Sequence, residues 1–336
     1  MFFPETYIGA LLLMFLTMLC WGSWANTLKL CPGYRFQLFY WDYALGLAGG
    51  TIFWGLTAGS HGPTGTPFLN DIVQASFGSV LFAVAGGVIF NIANLLLVAA
   101  IDVAGLAVAF PVGIGLALIV GAVSSYLVRP AGNPLLLFGG VALVTIAIVF
   151  DAAAYRQREA KTKSKAKVDP TRGIVLSLLA GVLMGTFYPF VAAALRGAKG
   201  VPPVGPYAVS LFFAAGVLLS TIPANLLLMF RPLDGKPPVK LSGYMPAPLT
   251  WHLAGVLGGA IWATGAISNF VASGAHLVGP AVSYSIGQGA TMVSACWGVF
   301  VWREFAGAPK AAHRSLVYMF LFFALGLVAV ALAPLY

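Results

Sequence analysis

Asn91 and Asn94 stand three residues apart near the middle of one long apolar stretch. Tyr284, Gln288 and Thr291 stand four and three apart in another. At these spacings each set shares one face of a helix. An amide offers two donors and an acceptor, which suits hydroxyls, ureido groups or carbonyls on a neutral polar solute. Asparagine also ties helices together inside membranes, so the pair reads either as a binding face or as packing. Gly287 and Gly289 flank Gln288 and would let a helix or a solute come close. Phe110, Pro111 and Gly113 lie at a matching level of a further stretch, where Pro111 frees a carbonyl and makes a hinge or a bend.

Trp21 and Trp24, three apart, offer rings that stack on a planar or sugar ring. As residues near the end of an apolar stretch they equally fit an interfacial aromatic belt. Thr186, Tyr188, Trp262, Thr264 and Asn269 are further polar or aromatic candidates within apolar stretches. Carboxylates are few. Asp42, among Phe39, Tyr40, Trp41 and Tyr43, is the candidate for proton coupling, with an interfacial anchor paired to Lys29 or Arg35 as its alternative. A carboxylate carried toward the bilayer centre costs about 2.5–3.5 kcal/mol on insertion scales, so such groups are paired, protonated or functional. Asp102, Asp151 and the Arg303-Glu304 pair sit near stretch ends, and Glu304 is expected to pair or cap there.

No constellation supports catalysis or a metal. His61, His252, His276 and His313 are dispersed, Cys20, Cys31 and Cys296 lack the paired spacing of a zinc or redox site, and no P-loop is present. The expectation is a non-enzyme without cofactor.

The 336 residues are 60% hydrophobic and 8% charged, against roughly a quarter charged in soluble domains. The net charge of +9 does not point to nucleic acid, because the basic residues lie between apolar blocks. Ten blocks are long enough to cross a bilayer as helices. They lie near 6–28, 36–59, 75–100, 104–127, 134–155, 173–196, 206–230, 250–273, 278–302 and 314–334. The N-terminus lacks a basic region before its apolar run, which is read as the first span. The third and fourth spans, and the eighth and ninth, should form tight hairpins.

Gly105–Gly115 (GLAVAFPVGIG) and Gly279–Gly289 (GPAVSYSIGQG) are alike at an offset of 174, and Arg129 falls on Arg303. Chains this apolar with such a duplication are built from two repeats that hold a solute between them. Residues 1–155 form the first five-helix repeat, 156–172 a basic linker and 173–336 the second repeat. Five is odd, so the copies must be inverted. Of the eighteen Lys and Arg, only Arg129, Arg196 and Lys199 follow even-numbered spans. The rest, including the linker, should be cytoplasmic, with both termini outside a plasma or inner membrane. The linker would lie near anionic lipid. Gly181 with Gly185, and Gly255 with Gly259, are spaced for close helix contact.

The chain resembles the ureide permease family of the drug/metabolite transporter superfamily. The likeness lies in Tyr40-Trp41-Asp42-Tyr43, Gly78–Gly87 (GSVLFAVAGG), Pro206-Tyr207-Ala208, Phe230-Arg231-Pro232 and Trp297–Phe300 (WGVF) with Glu304. It implies uptake of allantoin-like ureides, uracil or related breakdown products, with protons. Phe90–Asn94 (FNIAN) and Ser285–Gly289 (SIGQG) are also similar to bacterial glucose/ribose porters. In those porters the Asn-x-x-Asn pattern lies in the eighth span, where this chain has Ala263 and Ala266. No glycine lies between Arg156 and Arg172, so the P-loop-like stretch of the plant proteins is not matched.

The expected protein is an all-α monomeric carrier with spans one, three, four, six, eight and nine around a midplane cavity. Asn91, Asn94, Tyr284 and Gln288 would bind solute, assisted by Trp21, Trp24, Phe110, Thr291, Tyr188 and Trp262. A sugar porter is the main alternative, ahead of a multidrug exporter or a channel.

Overall fold

Apolar stretches in lipid must satisfy their backbone internally, and helices do so. The computed structural model describes residues 1–162, 170–198, 200–233 and 236–336. Among these the long elements are all helical. They are α1 (Tyr7–Ser23), α2 (Phe36–Leu56), α3 (Phe68–Gln74), α4 (Phe77–Ala104), α5 (Leu106–Val128), α6 (Pro134–Thr162), α7 (Pro170–Arg196), α8 (Pro206–Phe230), α9 (Leu249–Gly274), α10 (Pro280–Gly287), α11 (Ala290–Cys296) and α12 (Lys310–Leu332). Eight segments among the described residues are long and apolar enough to cross a membrane. The protein is therefore a multi-pass, all-helical membrane protein. Neither α2 nor the broken stretch through α10 and α11 is among the eight.

The boundaries depart from the sequence reading in instructive places. The first span does not stop near residue 28 as one helix. It tightens after Ser23 into a 3-10 turn, Trp24–Leu30. The turn expected at residues 101–104 is helical, and α4 and α5 are joined by Gly105 alone, whose φ of +79° suits a residue without a Cβ. The ninth stretch is not one helix. It breaks at Gln288 and Gly289 between α10 and α11 and ends in a π-type turn, Trp297–Val301. α5 runs through Pro111 unbroken. The short α3 had no counterpart in the hydropathy pattern; its Phe68 is buried against Gly55. Of the basic linker, residues 163–169 lie outside the described residues.

The packing falls into matched pairs. α4 lies on α7, and α9 on α1; α5 lies on α7, and α11 on α1. α2 crosses α9, and α4 crosses α8, while α6 pairs with α12. Small residues make these crossings close. A Cβ on Gly46 would stand 2.0 Å from the Val256 carbonyl oxygen, and one on Gly259 2.0 Å from that of Tyr43. At the other crossing, a Cβ on Gly216 would stand 2.2 Å from the Val84 oxygen and one on Gly87 2.0 Å from the Phe213 oxygen. Backbones that touch in this way gain van der Waals contact that larger residues would forbid.

Ala104, the last residue of α4, lies against Gly173 near the start of α7. Lys29, past the end of α1, and Arg158, near the end of α6, meet the same carboxylate, Glu304. These contacts mark the end of the bundle next to the linker. At the opposite end Arg196, closing α7, donates to the carbonyls of Ser273 and Val278 between α9 and α10.

Candidate functional site

The polar residues picked from the sequence separate into two buried nodes. In the first, the Tyr40 hydroxyl donates to Asn91 Oδ1 at 2.8 Å, and Asn94 Nδ2 donates to that hydroxyl at 3.1 Å. Asn91 Nδ2 donates to Ser220 Oγ at 2.8 Å, and the Thr221 hydroxyl reaches Asn91 Oδ1 at 3.3 Å. Asn91 is wholly buried. In this conformation the pair binds α4 to α2 and α8 and presents its groups to protein. Buried polar groups without partners are costly, which is why the network is closed.

The second node joins α7, α9 and α10. The Tyr188 hydroxyl donates to Asn269 Oδ1 at 2.5 Å, and Asn269 Nδ2 donates to the Ser283 carbonyl at 3.0 Å. The Tyr284 hydroxyl lies 3.1 Å from the Ala117 carbonyl and 3.3 Å from that of Met184. The rings of Tyr188 and Tyr284 stand 5.2 Å apart.

Trp21 borders this node. Its ring stacks on Trp262 at 5.5 Å with 16° between planes. Trp262 continues the aromatic wall through Phe90 at 4.4 Å and Phe213 at 5.7 Å. The span continues to Leu30, so Trp21 is well short of its end, and Trp262 is central in α9. The Trp21 indole N–H is buried, with no hydrogen-bond partner among the described residues. A Cβ on Gly287 would meet the Trp21 ring at 2.9 Å and Asn269 Nδ2 at 3.3 Å, so the glycine before the break brings these groups together. Gln288, at the break, is partly exposed, and among the described residues its side chain makes no hydrogen bond. Thr291 follows on the next turn and is buried. Trp24 is set apart, its ring 4.6 Å from Tyr43. Phe110 is partly exposed in the second turn of α5.

Two interior positions were under-read. Asn269 ranked low as an isolated amide, yet it links Tyr188 to α10. Trp21's orphan donor has no sequence signature.

The clefts of this structure lie elsewhere. One of about 400 Å³ sits between α2 and α9, and one of about 370 Å³ between α4 and α8, both with chiefly apolar linings. Neither is lined by Asn91, Asn94, Tyr284 or Gln288. The centre is filled by Tyr188, Tyr284, Phe187, Phe213 and Phe270, all nearly or wholly buried.

Asp42 is 3% exposed, and it pairs with neither Lys29 nor Arg35, contrary to the anchor alternative. Its Oδ1 accepts from the Tyr244 hydroxyl at 2.5 Å, and its Oδ2 lies 2.8 Å from His252 Nδ1. Lys29 instead meets Glu304 at 2.5 Å. Arg158 and the Tyr155 hydroxyl add to Glu304 at 3.1 and 3.2 Å. Burial pushes the Glu304 carboxyl up, but Lys29, Arg158 and Tyr155 together outweigh it and hold the group below the ordinary carboxylate range. Trp297 Nε1 donates to Ser23 Oγ at 2.8 Å and Trp302 Nε1 to Asn26 Oδ1 at 2.6 Å. These contacts seal the linker end between the first and ninth stretches.

With this geometry in place, the likeness to known proteins becomes informative. The model of the ureide permease family matches residues 39–172, a region that includes Asp42, Asn91 and Asn94. Ureide permease 1 of Arabidopsis thaliana is 24% identical, with 96% of each chain covered. Ureide permease 4 of the same plant is 25% identical, again with 96% of each covered. A crystal structure of another protein superimposes with a TM-score of 0.62 over 95% of this chain and 96% of that one. At 16% identity that likeness concerns the fold. The matches support the ureide permease family, whose members are transporters and not enzymes.

Proposed function

We propose that this relative of the ureide permeases is a ten-helix carrier, built from two inverted five-helix repeats, that takes up a small neutral polar solute of the ureide or nucleobase class. α2 and the broken stretch through α10 and α11 complete the ten spans. The matched packing pairs support the duplication. Exchange of the two halves turns the Gly46–Val256 and Gly259–Tyr43 contacts into Gly216–Val84 and Gly87–Phe213. The start of α7 at the end where α4 finishes supports the inversion.

One observation carries the site. A helix broken in mid-span, at Gln288 and Gly289, lies beside an indole donor, Trp21, that the protein leaves unpaired. Interrupted helices in inverted-repeat carriers are where solute is held. An N–H in a dry interior gains a full hydrogen bond when a carbonyl reaches it. Ureides and uracil are rich in carbonyls and amides and carry a flat face for Trp21 and Trp262 to hold. Gln288 would pair with both kinds of group. Tyr188 and Tyr284 shape the node, and Thr291 and Phe110 would add contacts to solute from α11 and α5. Trp24, Asn91 and Asn94 would contact solute only after the α2–α4–α8 network rearranges.

Closed at the linker end and filled at its centre, the chain is in an occluded form. Rocking of one repeat against the other, proton-driven, would open it alternately, with the linker cytoplasmic and both termini outside the cell membrane. The carrier would act as a monomer. Uptake of labelled allantoin and uracil into proteoliposomes, against excess unlabelled glucose or ribose, tests the reading. Competition by the sugars alone would overturn it.

A further inference from the structure

Asp42 joins the two halves of the chain at the linker end of α2. Its hydrogen-bond partners both come from the second half, Tyr244 from the loop before α9 and His252 from the first turn of α9. From the first half, Cys31 and Tyr34 face it. The Tyr34 hydroxyl is pushed up to about 12, by burial first and then by Asp42 and Cys31. Arg35 caps α2, and its Nη2 is buried without a partner, yet it forms no ion pair with Asp42 among those described. Among the described residues His252 is thus the group against the carboxylate that gains a positive charge on protonation. The Asp42 side chain is 4% exposed and that of His252 19%, so a proton reaches the pair through the imidazole.

We propose that Asp42 and His252 together hold the transported proton, with Tyr244 fixing the carboxylate. The proposal rests on the carrier reading above. Nδ1–H faces Asp42 Oδ2 in both states, and the proton binds and leaves at Nε2. With the proton the pair is imidazolium and carboxylate, neutral as a unit and stable in a dry joint. Without it a lone buried carboxylate remains, which calls for water. A Cβ on Gly255 would stand 2.5 Å from Asp42 Cβ, so the pair sits beside the close crossing of α2 and α9. Hydration there would part the two helices at the linker end. Loss of the proton and opening of that end are then one event.

Full-length Asp42→Asn, His252→Gln and Tyr244→Phe would be compared with the parent protein in proteoliposomes. The first two are expected to lose at least tenfold of the allantoin accumulation driven by a pH gradient. They should keep allantoin exchange at equal pH within about threefold. Tyr244→Phe, which frees one carboxylate oxygen of its donor, should lose about threefold of the accumulation and keep exchange. A His252→Gln protein that accumulates normally overturns the proposal, as does one that melts normally but has lost exchange. If the parent protein neither accumulates nor exchanges allantoin, the solute reading fails, and proton binding is read on the purified protein alone. There a pH dye should report fewer protons taken up by Asp42→Asn than by the parent protein between about pH 8 and pH 5, the range in which an imidazole changes charge. Equal uptake by the two proteins overturns the proposal in that case.

Discussion

The Lys29 ammonium lies 2.5 Å from a Glu304 oxygen although 275 positions of chain separate them. The same carboxylate receives Arg158 and the Tyr155 hydroxyl of α6, so one side chain draws three segments together at the linker end. The Lys29 and Glu304 side chains are 43% and 23% exposed, and a pair so screened is worth about 0.2–1 kcal/mol. Glu304→Gln removes this pair and the Arg158 pair together, up to about 2 kcal/mol, and should raise the fraction open at this end by no more than about thirtyfold, since 1.4 kcal/mol is about tenfold. Spin labels on Leu30 and Ala306 would report the distance. Because Glu304 is held below its ordinary value of 4.5, its contribution is complete above that pH and fades as pH falls below it. An acid-induced opening of the parent protein, appearing as pH falls but already under way well above pH 4.5, would contradict this.

Close helix crossings set the second expectation. Gly46→Val or Gly216→Val would drive a side chain into a backbone carbonyl of the neighbouring helix. Overpacking of this kind costs about 1–3 kcal/mol, and the two variants should lose similar stability because their surroundings match. Gly49→Ala has open space around its Cβ and should be neutral or stabilising by up to about 1 kcal/mol. Thermal unfolding in detergent would rank the three.

The long helices were legible because lipid dictates both their length and their composition. The GLAVAFPVGIG and GPAVSYSIGQG pair points to a duplication, while the break at Gln288 and Gly289 leaves the ninth stretch reading as one apolar span. What was not legible depends on distant partners. Asp42 offered two readings, proton coupling or an anchor paired to nearby Lys29 or Arg35, and its actual partners lie 202 and 210 positions away. Hydropathy carries no mark of the 3-10 turn, Trp24–Leu30, that continues the segment holding Trp21. Asn91 and Asn94 looked like a binding face, and spacing alone could not reveal that Tyr40, Ser220 and Thr221 would pair with them.

Trp21→Phe separates the indole donor from the ring. Phenylalanine keeps a stack on Trp262 but has no N–H, so stability should hold while affinity for allantoin falls about tenfold, the worth of one hydrogen bond of about 1.4 kcal/mol. Gln288→Ala breaks no hydrogen bond seen among the described residues and should likewise spare the melting temperature while cutting uptake at least tenfold. Isothermal binding and thermal melts on the same samples would check both.

Asn91 tests whether a closed network can also serve a solute. Its amide is engaged by Tyr40, Ser220 and Thr221, so Asn91→Ala strands several buried groups. Hydrogen bonds between membrane helices are worth about 0.6–2 kcal/mol, so the variant should melt earlier. Tyr40→Phe supplies the matched control, because it removes the hydroxyl shared by Asn91 and Asn94 and leaves both amides in place. If Asn91 meets solute once the network rearranges, Asn91→Ala loses at least tenfold of uptake, while Tyr40→Phe, comparably destabilised, loses less than about twofold. Equal losses at equal stability would assign the amide to packing alone and confine the solute to the groups around Trp21 and Gln288.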